Sequence, residues 1–135
     1  MMKYSASFVH DDIGNVEVDI ISIYRSSNCA HDGVIIENIR RMFRNDRICI
    51  ICGDLNLRYQ NQPKAYLIQE ILTLNFNQLI NHPTHRDGGI IDHVYLFRPH
   101  MYEEVVINWE LFAPFYSDHF GISIIIQKRF GLDEK

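Results

Sequence analysis

From residue 48 to 52 the chain reads Ile-Cys-Ile-Ile-Cys without a polar break, and Gly53 and Asp54 end the run. Side chains of a strand alternate between two faces, so an unbroken apolar run reads as a central strand covered above and below. Further apolar runs read as strands at residues 4–9, 16–24, 77–80, 90–97, 105–111 and 120–127. His10, Asp12, Gly14 and Asn15 give a hairpin-loop composition between the first two, and Gly88-Gly89 turns the chain into the run at 90–97. Helical spacing appears twice. Residues 33–44 place Val34, Ile35, Ile39, Met42 and Phe43 on one stripe, with Asp32 as the expected N-cap. Residues 63–74 place Ala65, Ile68, Gln69 and Leu72 on successive turns, with Pro63 near the first. This order predicts an α/β (α+β) fold: a mixed, largely antiparallel sheet of about four to six strands with two helices on one face.

A length of 135 residues predicts a single domain, residues 1–135. The formal charge of −4 argues against a basic groove that neutralises many phosphates. Nucleic acid is still allowed as a substrate, because a bound cation can supply the missing positive charge. Arg40, Arg41, Arg44 and Arg47 line the outer side of the first helical segment and read as a solvated face. Three cysteines form no even disulfide framework, which predicts a reducing, intracellular setting, nuclear or cytoplasmic alike. Cys49 and Cys52 lie on opposite faces of a strand and cannot chelate one ion together. No apolar stretch approaches the ~20 residues of a membrane span, so a soluble chain with no membrane partner is expected.

The polar residues at the strand ends change the picture most. Tyr24 and Asp54 close their runs, whereas Asp92 and the pair Asp118-His119 open theirs. If the first two strands run up and the last two run down, these groups meet at one rim of one sheet. Asp54 can then orient or deprotonate a water, and Asn56 offers a neutral amide to a phosphate oxygen or a hard cation. Asp118 is a candidate hard-metal ligand. His119 can donate to a phosphate oxygen, with Asp92 holding its tautomer and raising its pKa. Tyr24 supplies a phenol donor. Singly, a Gly-Asp pair reads as a turn and an Asp-His pair as a surface pair. Asp92 is harder to dismiss, since a carboxylate opening an apolar strand needs a partner.

The blocks Ile23-Tyr24-Arg25-Ser26-Ser27, Cys52-Gly53-Asp54-Leu55-Asn56, Pro83-Thr84-His85 through Ile91-Asp92-His93-Val94, and Tyr116-Ser117-Asp118-His119 resemble the endonuclease/exonuclease/phosphatase superfamily, the DNase-like metal-dependent phosphoesterases. Their wording is most similar to endonuclease domains of mobile genetic elements, of the Helitron-like and non-LTR retrotransposon types. The resemblance implies half of a DNase-like four-layer sandwich and a Mg²⁺- or Mn²⁺-dependent phosphodiesterase acting on nucleic acid, DNA foremost. It further implies that Asp54 activates the water, Asn56 and Tyr24 steady the phosphate, and Asp92 pairs with His119. Asp118, with Asp54 and Asn56, would hold the metal, and Thr84 and His85 would contact substrate. For His82, His85 and His93 the residue pattern favours structural or surface roles over zinc, since no Cys/His spacing supports a zinc site.

The family's first half carries a strand ending in Asn and another ending in a metal-binding Glu. Neither block precedes Tyr24, so the chain looks like the C-terminal half of the domain, with weakened catalysis expected alone. One face of the strand at 48–52 should then lack cover unless a missing N-terminal half or a second copy packs on it. Two alternatives stay open: a vestigial, catalytically inactive binding module, and a phosphomonoesterase or phospholipid-directed relative.

Overall fold

The computed structural model describes residues 1–10, 12–28, 30–62, 65–112 and 117–127. Its elements are β1 (Met2–His10), β2 (Gly14–Ser22), α1 (Asp32–Met42), β3 (Ile48–Asp54), α2 (Tyr66–Thr73), β4 (Asn77–Gln78), β5 (Asp92–Phe97), a 3₁₀ turn at His100–Tyr102, β6 (Val106–Phe112) and β7 (Gly121–Gln127). They form a five-stranded sheet in the order β1-β2-β3-β5-β4 and a separate two-stranded sheet, β6-β7. Among the described residues only β2 and β3 pair in parallel, and the other strand pairings are antiparallel. The mixed, largely antiparallel α+β architecture expected from the patterning is the one observed.

The apolar run of β3 explains the layering. Cys49 and Ile51 point to one face, where they join Ile21, Tyr95 and the buried stripes of α1 (Ile36, Ile39) and α2 (Leu67, Ile68, Ile71). Ile48 and Ile50 point to the other, where they meet Val94 and Leu96 and pack toward Ile107, Trp109, Ile122, Ile124 and Ile126 of the small sheet. Both helices therefore share one face, and β6-β7 covers the opposite one. This corrects two expectations. The last two long strands do not extend the main sheet, and neither face of β3 is left bare, since Ile48 and Ile50 are 0% and 2% exposed. A strand buried on both sides needs two apolar layers, and the amphipathic hairpin supplies the second. Burial raises the Cys49 thiol pKa to about 12, as suits a small hydrophobe rather than a ligand. No helix among the described residues is long and apolar enough to cross a membrane.

Element ends differ by a few residues from the pattern, and one difference has a chemical cause. His31, not Asp32, occupies the N-cap position of α1, without a side-chain cap bond. The Asp32 carboxylate instead accepts from Arg25 Nε at 2.7 Å and Nη2 at 3.3 Å. A buried guanidinium demands a charged partner more strongly than a helix end does. Pro63 lies outside the described residues. The arginines of the α1 side pair within the chain, Arg40 with Glu70, Arg41 with Glu37 and Arg44 with Asp46, so they form no open basic patch.

One buried charge ties the edge strand to the rest. Asp19 of β2 is fully buried; its Oδ1 accepts from Ser5 Oγ at 2.7 Å and Arg47 Nη1 at 3.2 Å, and its Oδ2 lies 3.3 Å from Lys3 Nζ. Burial alone would raise its pKa, but Ser5, Arg47 and Lys3 together outweigh that and lower it. A lowered carboxyl pKa stabilises the fold above the unfolded value of about 3.9, and this stabilisation is lost as pH falls through the folded value. Asp19→Asn should cost about 2–3 kcal/mol at pH 7. In urea titrations the gap between wild type and variant should narrow below about pH 4. A gap that does not change with pH would remove the ion-pair account.

Candidate active site

The functional end of the molecule is built by close backbone approach. Past β2 the chain continues beside β3, with Ile23 N–H donating to the Cys52 carbonyl and Arg25 N–H to that of Asp54, each at 2.9 Å. Gly53 makes this possible. Its φ is +147°, and a Cβ there would fall 1.7 Å from the Ile23 carbonyl oxygen. The approach brings Tyr24 to the rim, where it is 72% exposed.

Asp54 and Asp92 are direct partners across the antiparallel β3-β5 ladder. By strand alternation both carboxylates lie on the face covered by the small sheet. Like charges placed opposite each other on a sheet repel, so this pair calls for a cation. His119, which leads into β7, supplies one: Nδ1 lies 2.8 Å from Asp92 Oδ2 and Nε2 lies 3.7 Å from Asp54 Oδ2. Its backbone is set by a bridge to His85, by Phe120 N–H donating to the Thr84 carbonyl at 2.7 Å, and by Arg86 N–H donating to the Asp118 carbonyl at 2.9 Å.

The hydrogen bond to Asp92, reinforced by the charges of Asp92, Asp54 and Asp118, raises the His119 pKa against the opposing effect of burial. The sign follows. The cationic imidazole stabilises the fold fully below its unfolded value of about 6.5, and the gain disappears as pH rises through the folded value. In EDTA-treated protein, an NMR titration should place His119 above about 6.5, and Asp92→Asn should bring it back down. A midpoint unmoved by Asp92→Asn would disprove this origin for the shift.

Other expected site residues take different positions. Asn56 adopts a left-handed φ of 52°, which asparagine tolerates, and its N–H donates to Asp54 Oδ1 at 3.0 Å. Its side-chain nitrogen donates to the Arg25 carbonyl. Thr84 is fully buried; its Oγ1 accepts from Ile91 N–H at 3.1 Å and Asp92 N–H at 3.0 Å. Substrate contact by Thr84 does not fit that burial, and its observed work is to hold the start of β5, hence Asp92. His85 stands edge-on to His119 with ring centroids 5.0 Å apart, and its Nδ1 is held by the N–H of Asp87 at 3.2 Å. Asp118 is exposed. Neighbouring side chains of an extended segment point to opposite sides, so His119 turns inward and Asp118 turns out.

Among the described residues, the group that gathers donor atoms is therefore Asp54, Asp92 and His119, with one atom from each lying within 4.8 Å of the others. Of the expected ligands, Asp54 belongs to this group, Asn56 meets Asp54 through its N–H, and the exposed Asp118 lies outside it. The two carboxylates fit a divalent cation in charge and donor type, with His119 beside them as a hydrogen-bond donor, and Mg²⁺ would complete its shell with water.

Sequence reading assigned no role to Arg25. Arg25 is buried, and besides binding Asp32 it donates from Nη1 to the Leu55 carbonyl at 3.3 Å. The only signal was an arginine placed directly after a strand end.

No family model and no curated protein sequence matches the chain. Solved structures do. The cytolethal distending toxin of Haemophilus ducreyi superposes with a TM-score of 0.59 at 23% identity, covering 93% of this chain and 58% of the toxin chain. The toxin from Actinobacillus actinomycetemcomitans gives a TM-score of 0.59 at 23% identity, over 90% and 58% of the two chains. The fold is DNase-like. The matched region spans 58% of the toxin chain's length. In the DNase-like frame, the Asp54-Asp92-His119 group lies where the two sheets of the sandwich end together.

Proposed function

We propose that this chain carries the phosphoester-binding half of a metal-dependent phosphodiesterase that hydrolyses nucleic acid, DNA foremost. The observation that carries this reading is His119, held by Asp92 and facing Asp54, three side chains from separate segments gathered at one end of a DNase-like fold. Asp54 would accept a proton from water as the water oxygen bonds to phosphorus and the bond to the leaving oxygen breaks. His119, orienting through Nδ1, would donate from Nε2 to the phosphate oxygen on which charge develops. Asn56 holds Asp54, and Tyr24 offers an exposed phenol to the substrate. A divalent ion, Mg²⁺ or Mn²⁺, held by Asp54 and Asp92 with His119 adjacent, would act as a Lewis acid and offset the phosphate charge. The wording of the sequence blocks carries the finer reading, an endonuclease of the mobile-element kind.

A second reading rests on its own observation: no Glu among the described residues joins the group. A binding module that keeps the site but lacks turnover would look like this. Incubating supercoiled plasmid with the purified chain in Mg²⁺, in Mn²⁺ and in EDTA separates the two. Nicking that needs metal supports the hydrolase. DNA binding without nicking at any metal concentration leaves the binding module.

A further inference from the structure

We propose that His93 is a positioning residue of this site, bracing the Asp54-to-Leu57 loop from the opposite face of the sheet. The inference rests on the hydrolase reading for its activity readout, while its structural readout stands apart. Strand alternation sends Asp92 to the small-sheet face and its neighbour His93 to the helix face. There His93 is 1% exposed and both ring nitrogens are engaged. Nε2 lies 2.8 Å from the Leu57 carbonyl oxygen, and Nδ1 lies 2.8 Å from the Tyr95 hydroxyl. A carbonyl cannot donate, so Nε2 bears the hydrogen, Nδ1 is the acceptor, and the Tyr95 hydroxyl donates to it. Tyr95 is fully buried, and the Tyr59 ring meets the imidazole edge-on at 5.8 Å.

The bond to Leu57 matters because of what precedes it. Between β3 and Leu57, Leu55 N–H donates to the Ile91 carbonyl at 2.9 Å, and Asn56 takes its left-handed conformation with its N–H on Asp54. β3 anchors one end of this loop and His93 the other. Without the imidazole, the buried Leu57 carbonyl loses its donor, and its need for another favours opening of the loop. One dipeptide thus serves both faces: Asp92 orients the imidazole of His119, and His93 fixes the loop that carries Asp54 and Asn56.

The test uses the full chain and the variants His93→Leu, His93→Gln and Tyr95→Phe. In wild type, long-range ¹⁵N–¹H spectra should show His93 as the neutral, Nε2-protonated tautomer. In His93→Leu, amide exchange at Leu55, Asn56 and Tyr59 should speed by about tenfold or more, while amides in the middle of β3 stay as protected as in wild type. His93→Gln can donate to Leu57 and accept from Tyr95, so it should recover most of that protection. Nicking should follow the same order, with kcat lowered in His93→Leu and KM little changed. Unchanged loop exchange, or an equal rise across the whole sheet, overturns the proposal. If wild type does not nick, the hydrolase reading fails and loop exchange still decides His93. If His93→Leu does not fold, Tyr95→Phe decides: faster loop exchange supports the brace, and wild-type exchange overturns it.

Discussion

His119→Ala is expected to lower metal-dependent nicking by about 10²–10⁴-fold, the usual contribution of a positioned proton donor. The loss has two parts. The Nε2 donor goes, and Asp54 and Asp92 are left facing each other across the β3-β5 ladder without the imidazole between them. At saturating metal, Asp92→Asn separates the parts, because it keeps the ring but removes the carboxylate that orients it and raises its pKa. It should therefore lose less rate than His119→Ala and shift the pH profile of nicking to lower pH. Initial rates, corrected for the folded fraction by thermal melts, make the comparison. Nicking by His119→Ala within about threefold of wild type, a difference worth under ~1 kcal/mol, would remove His119 from the chemistry.

Gly53→Ala should carry the largest stability cost of any single methyl addition at the site, about 3 kcal/mol or more. The added Cβ would sit 1.7 Å from the Ile23 carbonyl oxygen and 2.8 Å from its carbon, both backbone atoms that cannot rotate away. Relief requires the chain beyond β2 to part from β3, breaking the bonds of Ile23 to Cys52 and of Arg25 to Asp54. A melting temperature lower by roughly 10 °C or more is expected for a domain of this size. Gly14→Ala is the control: its φ is +89° but a Cβ there meets nothing within 4 Å, so only the conformational cost of about 1–2 kcal/mol applies. Denaturant titrations of both variants decide it. If Gly53→Ala costs no more than Gly14→Ala, the close approach is not what requires the glycine.

Much of the fold was legible in the sequence because periodicity is local. The unbroken run at 48–52 correctly implied a strand with two buried faces. Of the expected helical stripes Ile39 and Ile68 lie in the core, while Val34 is 59% exposed and Ile36, Leu67 and Ile71 complete the buried helix faces. The placing of Asp54 at the end of β3 and of Asp92 at the start of β5 followed from the same runs. Their meeting with His119 was expected from the strand ends and the resemblance, but its geometry depends on the register that puts residue 54 opposite residue 92 and on the bridge that pins residue 119 beside residue 85.

Several assignments depended on contacts between distant segments. Thr84 looked like a substrate contact until its burial showed the hydroxyl committed to the backbone of β5. Asp32 looked like a helix cap until Arg25 claimed its carboxylate. His93 was read as structural or surface, and only the fold shows what it holds, the Leu57 carbonyl.

The amino-acid order by itself determined which segments are strands and helices, which faces are apolar, and which polar residues stand at strand ends. Tertiary structure alone decided that β6-β7 forms a second layer, that Asp118 turns outward while His119 turns in, and that the donor atoms of Asp54, Asp92 and His119 come within 4.8 Å of one another. The physical reason is range. Repeats of two or about 3.6 residues are written in neighbouring positions, whereas a 2.8 Å bond between residues 27 positions apart exists only once the sheets have paired and packed.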